Sequence, residues 1–129
     1  MKSHTKADSE KDALSLFNEI KDTYSDKIEE LNLIKKEVSK TEVIDQAQKS
    51  KLRITIESLL IDLNEEIFSI SEELAKSYTF ERQKNILQKA KDFDGRKKVL
   101  LKKIKESIDE NPSVKLVRRS LRIQNASPP

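Results

Sequence analysis

The chain has 129 residues and a formal net charge of +3, with 38% charged, 35% hydrophobic and 5% aromatic residues, one glycine, no tryptophan and no cysteine. The missing cysteine excludes disulfides, thiolate nucleophiles and thiolate zinc sites, and it fits a reducing compartment. A length suited to one domain and a composition rich in Lys, Glu, Leu and Ile point to long helices or a coiled coil, away from a pocketed enzyme.

Residues 1–8 are polar and predicted to be disordered. The opening MKSHTKADSE lacks the apolar core of a secretory signal. Ser9 and Asp12 then have the spacing of a capping box. Phe17, Ile20, Tyr24, Ile28, Leu31, Ile34 and Val38 follow at steps of three and four. This spacing predicts a helix over 9–39, with Leu14 and Leu33 widening its apolar stripe.

The stripe pauses at SKTE, 39–42, where Ser39 with Glu42, or Thr41 alone, has the chemistry of a helix cap. Ile44, Ala47, Leu52, Ile56, Leu59, Leu63, Ile67, Ile70 and Leu74 then predict a second helix over 42–76. The β-branched run Ile54-Thr55-Ile56 invites a strand, but the helical spacing continues on both sides of it.

A second pause falls at Lys76–Thr79, with Thr79 as the N-cap. Phe80, Ile86, Leu87, Ala90, Phe93, Leu100, Ile104 and Ile108 predict a third helix over 79–110. Asp94-Gly95 has turn chemistry. Phe93 and Leu100 are seven apart, however, so the expectation is one continuous helix that Asn111-Pro112 ends. No apolar run approaches the roughly 20 residues of a membrane span. The expected fold is all-α: an elongated antiparallel three-helix bundle over 9–110, then a basic, flexible, disordered tail over 111–129. The expected location is cytoplasmic or nuclear.

No catalytic constellation emerges. The single histidine, His4, lies in the polar start, and there is no Gly-rich phosphate loop. The pairs Glu29-Glu30, Glu65-Glu66 and Glu72-Glu73 read as solvated helix faces rather than cation sites. The chain is therefore expected not to be an enzyme and to hold no metal or cofactor. From Pro112 onward there are four bases, Lys115, Arg118, Arg119 and Arg122, and no acid. Ser120, after Arg118-Arg119, and Ser127, before Pro128, are candidate phosphorylation sites. Asn125-Ala126-Ser127 matches a glycosylation sequon. Four cations without aromatics are a weak basis for binding nucleic acid or an acidic membrane.

The charges of helices 2 and 3 are more informative. Helix 2 carries Glu57, Asp62, Glu65, Glu66, Glu72 and Glu73, and helix 3 carries Arg82, Lys84, Lys89, Lys91, Arg96, Lys97 and Lys98. Arg82, Lys89, Arg96 and Lys103 fall seven apart, along one face. These charges either neutralise each other across a seam or form a polar docking face. The candidate partner-binding residues are Glu57, Glu66, Arg82, Lys84, Lys89 and Lys91.

The segment KSKLRITIESLLIDLNEEI, followed by FERQKNILQKAKDF, resembles the BAG domain, a three-helix co-chaperone module. Glu57 lies in Ile56-Glu57-Ser58-Leu59-Leu60, similar to the family's helix-2 glutamate segment, and Arg82 stands 25 residues later in Phe80-Glu81-Arg82. Lys84 follows after one extra residue, and Ile86-Leu87 falls where the family has its apolar pair. The family's helix-2 aspartate is not matched, since Ile67 stands there. Ala90 or Lys91 stands where the family has a helix-3 glutamine. The resemblance implies binding to the ATPase domain of a heat-shock-seventy chaperone, helices 2 and 3 contacting opposite lobes. Glu57 would accept hydrogen bonds from basic groups, Arg82 and Lys84 would meet acidic ones, and nucleotide would leave faster. Ser77 through Lys105 also resembles the C-terminal helical domain of iron–sulfur J-protein co-chaperones, although the chain has no His-Pro-Asp motif. The alternative is a helical-bundle or coiled-coil scaffold, an adaptor subunit of a larger assembly with a regulated basic tail. The chain would be a monomer under the first reading and part of a helical assembly under the second.

Overall fold

The computed structural model describes the backbone of residues 6–76 and 80–126, and the side chains of residues 11–76 and 85–121. It is all-helical, with no strand among the described residues. α1 spans Lys6–Lys40, α2 Gln46–Ala75, α3 Phe80–Ile104 and α4 Pro112–Ala126. A π-helical turn, Lys105–Asp109, extends α3.

α1 is the central element, packing closely against both α2 and α3, whereas the backbones of α2 and α3 scarcely approach each other. Its buried line is Ala13, Phe17, Ile20, Tyr24, Leu31, Ile34 and Val38. α2 answers with Leu52, Ile56, Leu59, Leu63 and Ile70, and α3 with Ile86, Ala90, Leu100 and Ile104. The spacing of three and four puts these residues on one side of each helix, and their joint burial stabilises helices that would be marginal alone. Phe17 meets Phe93 of α3 edge-on, with ring centroids 5.7 Å apart and planes at 64°. Such an edge contact adds about 0.5–1.5 kcal/mol beyond the area that it buries.

The register of polar pairs gives the direction of the first two helices. Lys35 pairs with Glu57 at 3.1 Å and Arg53 donates to Ser39 Oγ at 3.3 Å, so α2 runs opposite to α1. The β-branched run at 54–56 is helical, and Thr55 satisfies its hydroxyl on the Lys51 carbonyl at 3.0 Å. α3 passes through Gly95 without a break, and a Cβ at that position would meet no atom within 4 Å.

The helix ends differ from expectation. α1 already includes Lys6, which places Ser9 inside the helix rather than at its cap. Ser39 and Thr41 do not cap α2. Ser39 Oγ donates to the Lys35 carbonyl inside α1, while Thr41 Oγ1 accepts from the Val43 amide. The cap is Asp45, whose carboxylate accepts from the Gln48 amide at 2.8 Å while the Gln48 side chain accepts from the Asp45 amide at 3.1 Å. This is a capping box with Asp and Gln in the two roles, and it moves the start of α2 from 42 to 46. Thr79 lies outside the described residues. Two members of the expected stripes are exposed, Leu33 on α1 and Ala47 on α2.

The largest correction concerns the tail. Residues 112–126 are not a flexible segment but α4, folded back onto α1. Asn111-Pro112 ends one helix and starts another. Asn111 Oδ1 accepts from the Ser113 amide at 2.9 Å, and Pro112 sits at the first helical position, where its missing N–H costs nothing. Val114 and Val117 are buried in the common core. The π-helical turn closes with the Glu110 amide donating to the Lys105 carbonyl at 2.9 Å. Arg118 then clamps α4 down, with Nη1 3.0 Å from Asp109 Oδ1 and Nη2 3.0 Å from Glu30 Oε1. Of the four bases expected in a free tail, Arg118 is thus held in place by acids of other elements.

Candidate protein-binding face

The expected charge matching between α2 and α3 takes a definite form. Lys89 reaches Glu73 at 3.0 Å, Arg96 reaches Glu66 at 2.8 Å and Lys103 reaches Asp62 at 3.3 Å. As the α3 numbers rise by sevens the α2 numbers fall, so the two helices run in opposite directions. The helical rise places successive bases about 10 Å apart along α3. Long side chains span the seam because the backbones stand apart, and a groove of about 630 Å³ remains between them. Asp62, Glu66, Asp92, Gly95, Arg96 and Val99 are among its lining residues. Val99 is 72% exposed, and Gly95 leaves the wall open.

The centre of the seam is a layered contact. Arg96 Nε donates to Glu66 Oε1 at 3.0 Å, and its Nη2 lies 2.8 Å from Oε2, an ion-pair contact without hydrogen-bond geometry. The Arg96 guanidinium also lies 4.7 Å from the centre of the Phe93 ring. Below it, the Tyr24 side chain is fully buried, and its hydroxyl has no hydrogen-bond partner among the described residues. Burial pushes the Tyr24 pKa up to about 12. The Glu66 charge adds to the rise, Arg96 opposes it, and Asp94 adds again.

Glu73 closes one end. It is the buried charged residue of α2, 7% exposed, and it bonds both Lys76 at 3.1 Å and Lys89 at 3.0 Å. Burial alone would raise its pKa, but hydrogen bonds and charge from Lys89 and Lys76 outweigh it and hold the carboxyl below the usual range. The solvated face expected at Glu72-Glu73 does not include Glu73, because its partners Lys76 and Lys89 cover it. Only Glu72 is exposed. Asp94 is held low by its hydrogen bond with Lys97, against a small effect of burial, with Lys98 assisting.

The candidate residues separate accordingly. Glu66 and Lys89 come together on the α2–α3 side, each already in an ion pair. Glu57 does not join them, because it points to α1 and pairs with Lys35. Lys91 is exposed. The side chains of Arg82 and Lys84 lie outside the described residues, as does Ser127. Ser120, on α4, is half-buried and lines a small cleft with Glu37, Lys40, Thr41, Val117 and Leu121. Among the described residues no group of three or more His, Cys, Asp or Glu side chains is placed to hold a metal ion. Among the described residues no helix is long and apolar enough to cross a membrane.

The sequence reading missed the groove and a row of exposed apolar residues on α2. Ile54, Ile61 and Phe68 are all more than half exposed. Their spacing of seven was legible, but the reading followed only the stripe that was to be buried. No family model matches the chain, and neither a curated protein nor a solved structure is significantly similar to it.

Proposed function

We propose that the chain is a non-enzymatic helical adaptor, working in the cytoplasm or nucleus without a cofactor. In this reading α1–α3 act as an elongated antiparallel three-helix bundle, and the α2–α3 groove receives a helix of a protein partner. The observation that carries it is the groove itself, about 630 Å³, with Val99 exposed on its wall and Gly95 leaving room for close approach. The ion pairs hold α2 and α3 at a width set by long side chains. A partner helix seated there would cover Val99 and lie alongside both α2 and α3. α4 is the regulated part. Ser120 is half-buried where α4 folds down, and a phosphate there would share its cleft with Glu37 and Lys40.

The test is partner capture by the whole chain in cells, followed by binding between purified proteins. Gly95→Leu fills the groove and Val99→Glu charges its wall, and neither touches the buried core. Both variants should lose the partner that the wild-type chain holds while keeping its thermal transition. A partner held equally well by both variants would remove the groove from the function.

A second reading keeps the same face but names its partner, the ATPase domain of a heat-shock-seventy chaperone. The observation that favours it is that acids of α2 and bases of α3 share one side, as docking across two lobes would need. Adding the chain should then speed ADP release, and Arg82→Glu should abolish the effect without loss of helix. Unchanged ADP release with the wild-type chain would reject this partner and leave the adaptor reading standing.

A further inference from the structure

The outward side of α2 carries an apolar stripe that no described element covers. Ile54, Ile61 and Phe68 are 67%, 58% and 64% exposed and recur every seventh residue. Ala47 and Ala75, also exposed, continue the same position to both ends of the helix. At about 100° per residue, these positions lie opposite Ile56, Leu59, Leu63 and Ile70. A sustained spacing of seven suits a second helix packed alongside at a shallow left-handed crossing. The internal core has no use for this stripe, and a solvent face pays for it in solubility.

We propose that the stripe is a self-recognition surface: two copies of the chain pack α2 on α2, antiparallel, about a two-fold axis through Ile61. Charge selects both the occupant and the direction. Residues 46–60 carry Lys49, Lys51 and Arg53 with one acid, Glu57, whereas residues 61–75 carry five acids and no base. Arg53 is turned to Ser39 of α1, and Asp62, Glu66 and Glu73 are held by α3, which leaves Lys51 of the basic half and Glu65 and Glu72 of the acidic half to the outer face. Parallel packing would set acid against acid. Antiparallel packing sets the basic half of each copy on the acidic half of the other. With Ile61 on the axis, Ile54 meets Phe68 of the second copy, and Lys51 lies beside Glu72 of the second copy. The like-charged approach of Glu57 to Glu65 is relieved because Glu57 is paired with Lys35 at 3.1 Å. Symmetry makes every contact off the axis occur twice, so modest pairs accumulate. This surface adjoins the groove proposed for a partner helix, with Glu65 and Ser69 on the ridge between them.

The chain has no cysteine, so single-cysteine variants of the full chain report the geometry without background. Sedimentation over a range of micromolar concentrations should show a monomer–dimer equilibrium. Ile61→Glu places two carboxylates on the axis and should weaken the dimer about 100-fold, with helix content unchanged. Leu33→Glu, at an exposed site on α1, should leave dimerisation as it was. Ile61→Cys should be captured as a covalent dimer by a short thiol crosslinker. Ile54→Cys and Phe68→Cys should each fail alone, since a residue and its own copy would be about 21 Å apart along the helices, yet crosslink when mixed. A wild-type monomer throughout, a dimer indifferent to Ile61→Glu, or capture of Ile54→Cys by itself would each overturn the proposal.

Discussion

α3 makes two seams, and they are held by different forces. Against α1 it is apolar and close: Phe93 on Phe17, with Ile86, Ala90, Leu100 and Ile104 buried. Against α2 it is polar and wide, spanned by Glu73–Lys89, Glu66–Arg96 and Asp62–Lys103. The first seam decides that the helices associate, because burial of apolar area is the dominant favourable term. The second sets direction and separation, because a row of ion pairs fits only one register, and its basic members reach into solvent that screens them. A wide seam keeps a surface open that a close one would bury.

The sharpest way to break this contrast is to damage the close seam. Phe17→Ala should cost about 3–5 kcal/mol, read from chemical unfolding, because it opens a void at the contact with Phe93. A cost near zero would mean that the apolar seam does not carry the fold. Glu73 tests the buried end of the wide seam. Its folded-state pKa is lowered, so its stabilisation is fully present above the ordinary glutamate pKa and is lost as pH falls through the folded value. Glu73→Gln should cost on the order of 1 kcal/mol at neutral pH and flatten the acid limb of the stability curve. An unchanged acid limb would show that Lys76 and Lys89 do not hold it. The smallest effect belongs to Asp62 and Lys103, whose side chains are 35% and 58% exposed. A double-mutant cycle between them should give about 0–1 kcal/mol of coupling, shrinking as salt is added. A larger, salt-resistant coupling would erase the distinction between the seams.

What could be read beforehand follows the same division. The buried lines of α1 and α3 were legible because the spacing of three and four is a direct consequence of helix geometry. The matching of α2 acids to α3 bases was legible from Lys89, Arg96 and Lys103 at sevens. The caps were not, because Ser39, Thr41 and Asp45 are all capable caps by residue type, and the choice of Asp45 depends on Gln48 returning the bond. α4 was missed because Pro112 was read only as a stop, and because Val114, Val117 and Leu121 make a stripe too short to stand out without α1 beneath it. Glu57 and Glu66 looked equivalent in sequence. Only the placement of Lys35 turns Glu57 toward α1.

The burial of Tyr24 gives the molecule an optical reporter of its own. The chain has no tryptophan and two tyrosines, and one of the two sits where all three long helices meet. Its neutral ring is favoured by the fold up to about pH 12, and that preference disappears as alkali carries the phenol through its titration. Ultraviolet absorbance at high pH would therefore follow the loosening of the centre of the molecule, with no label attached.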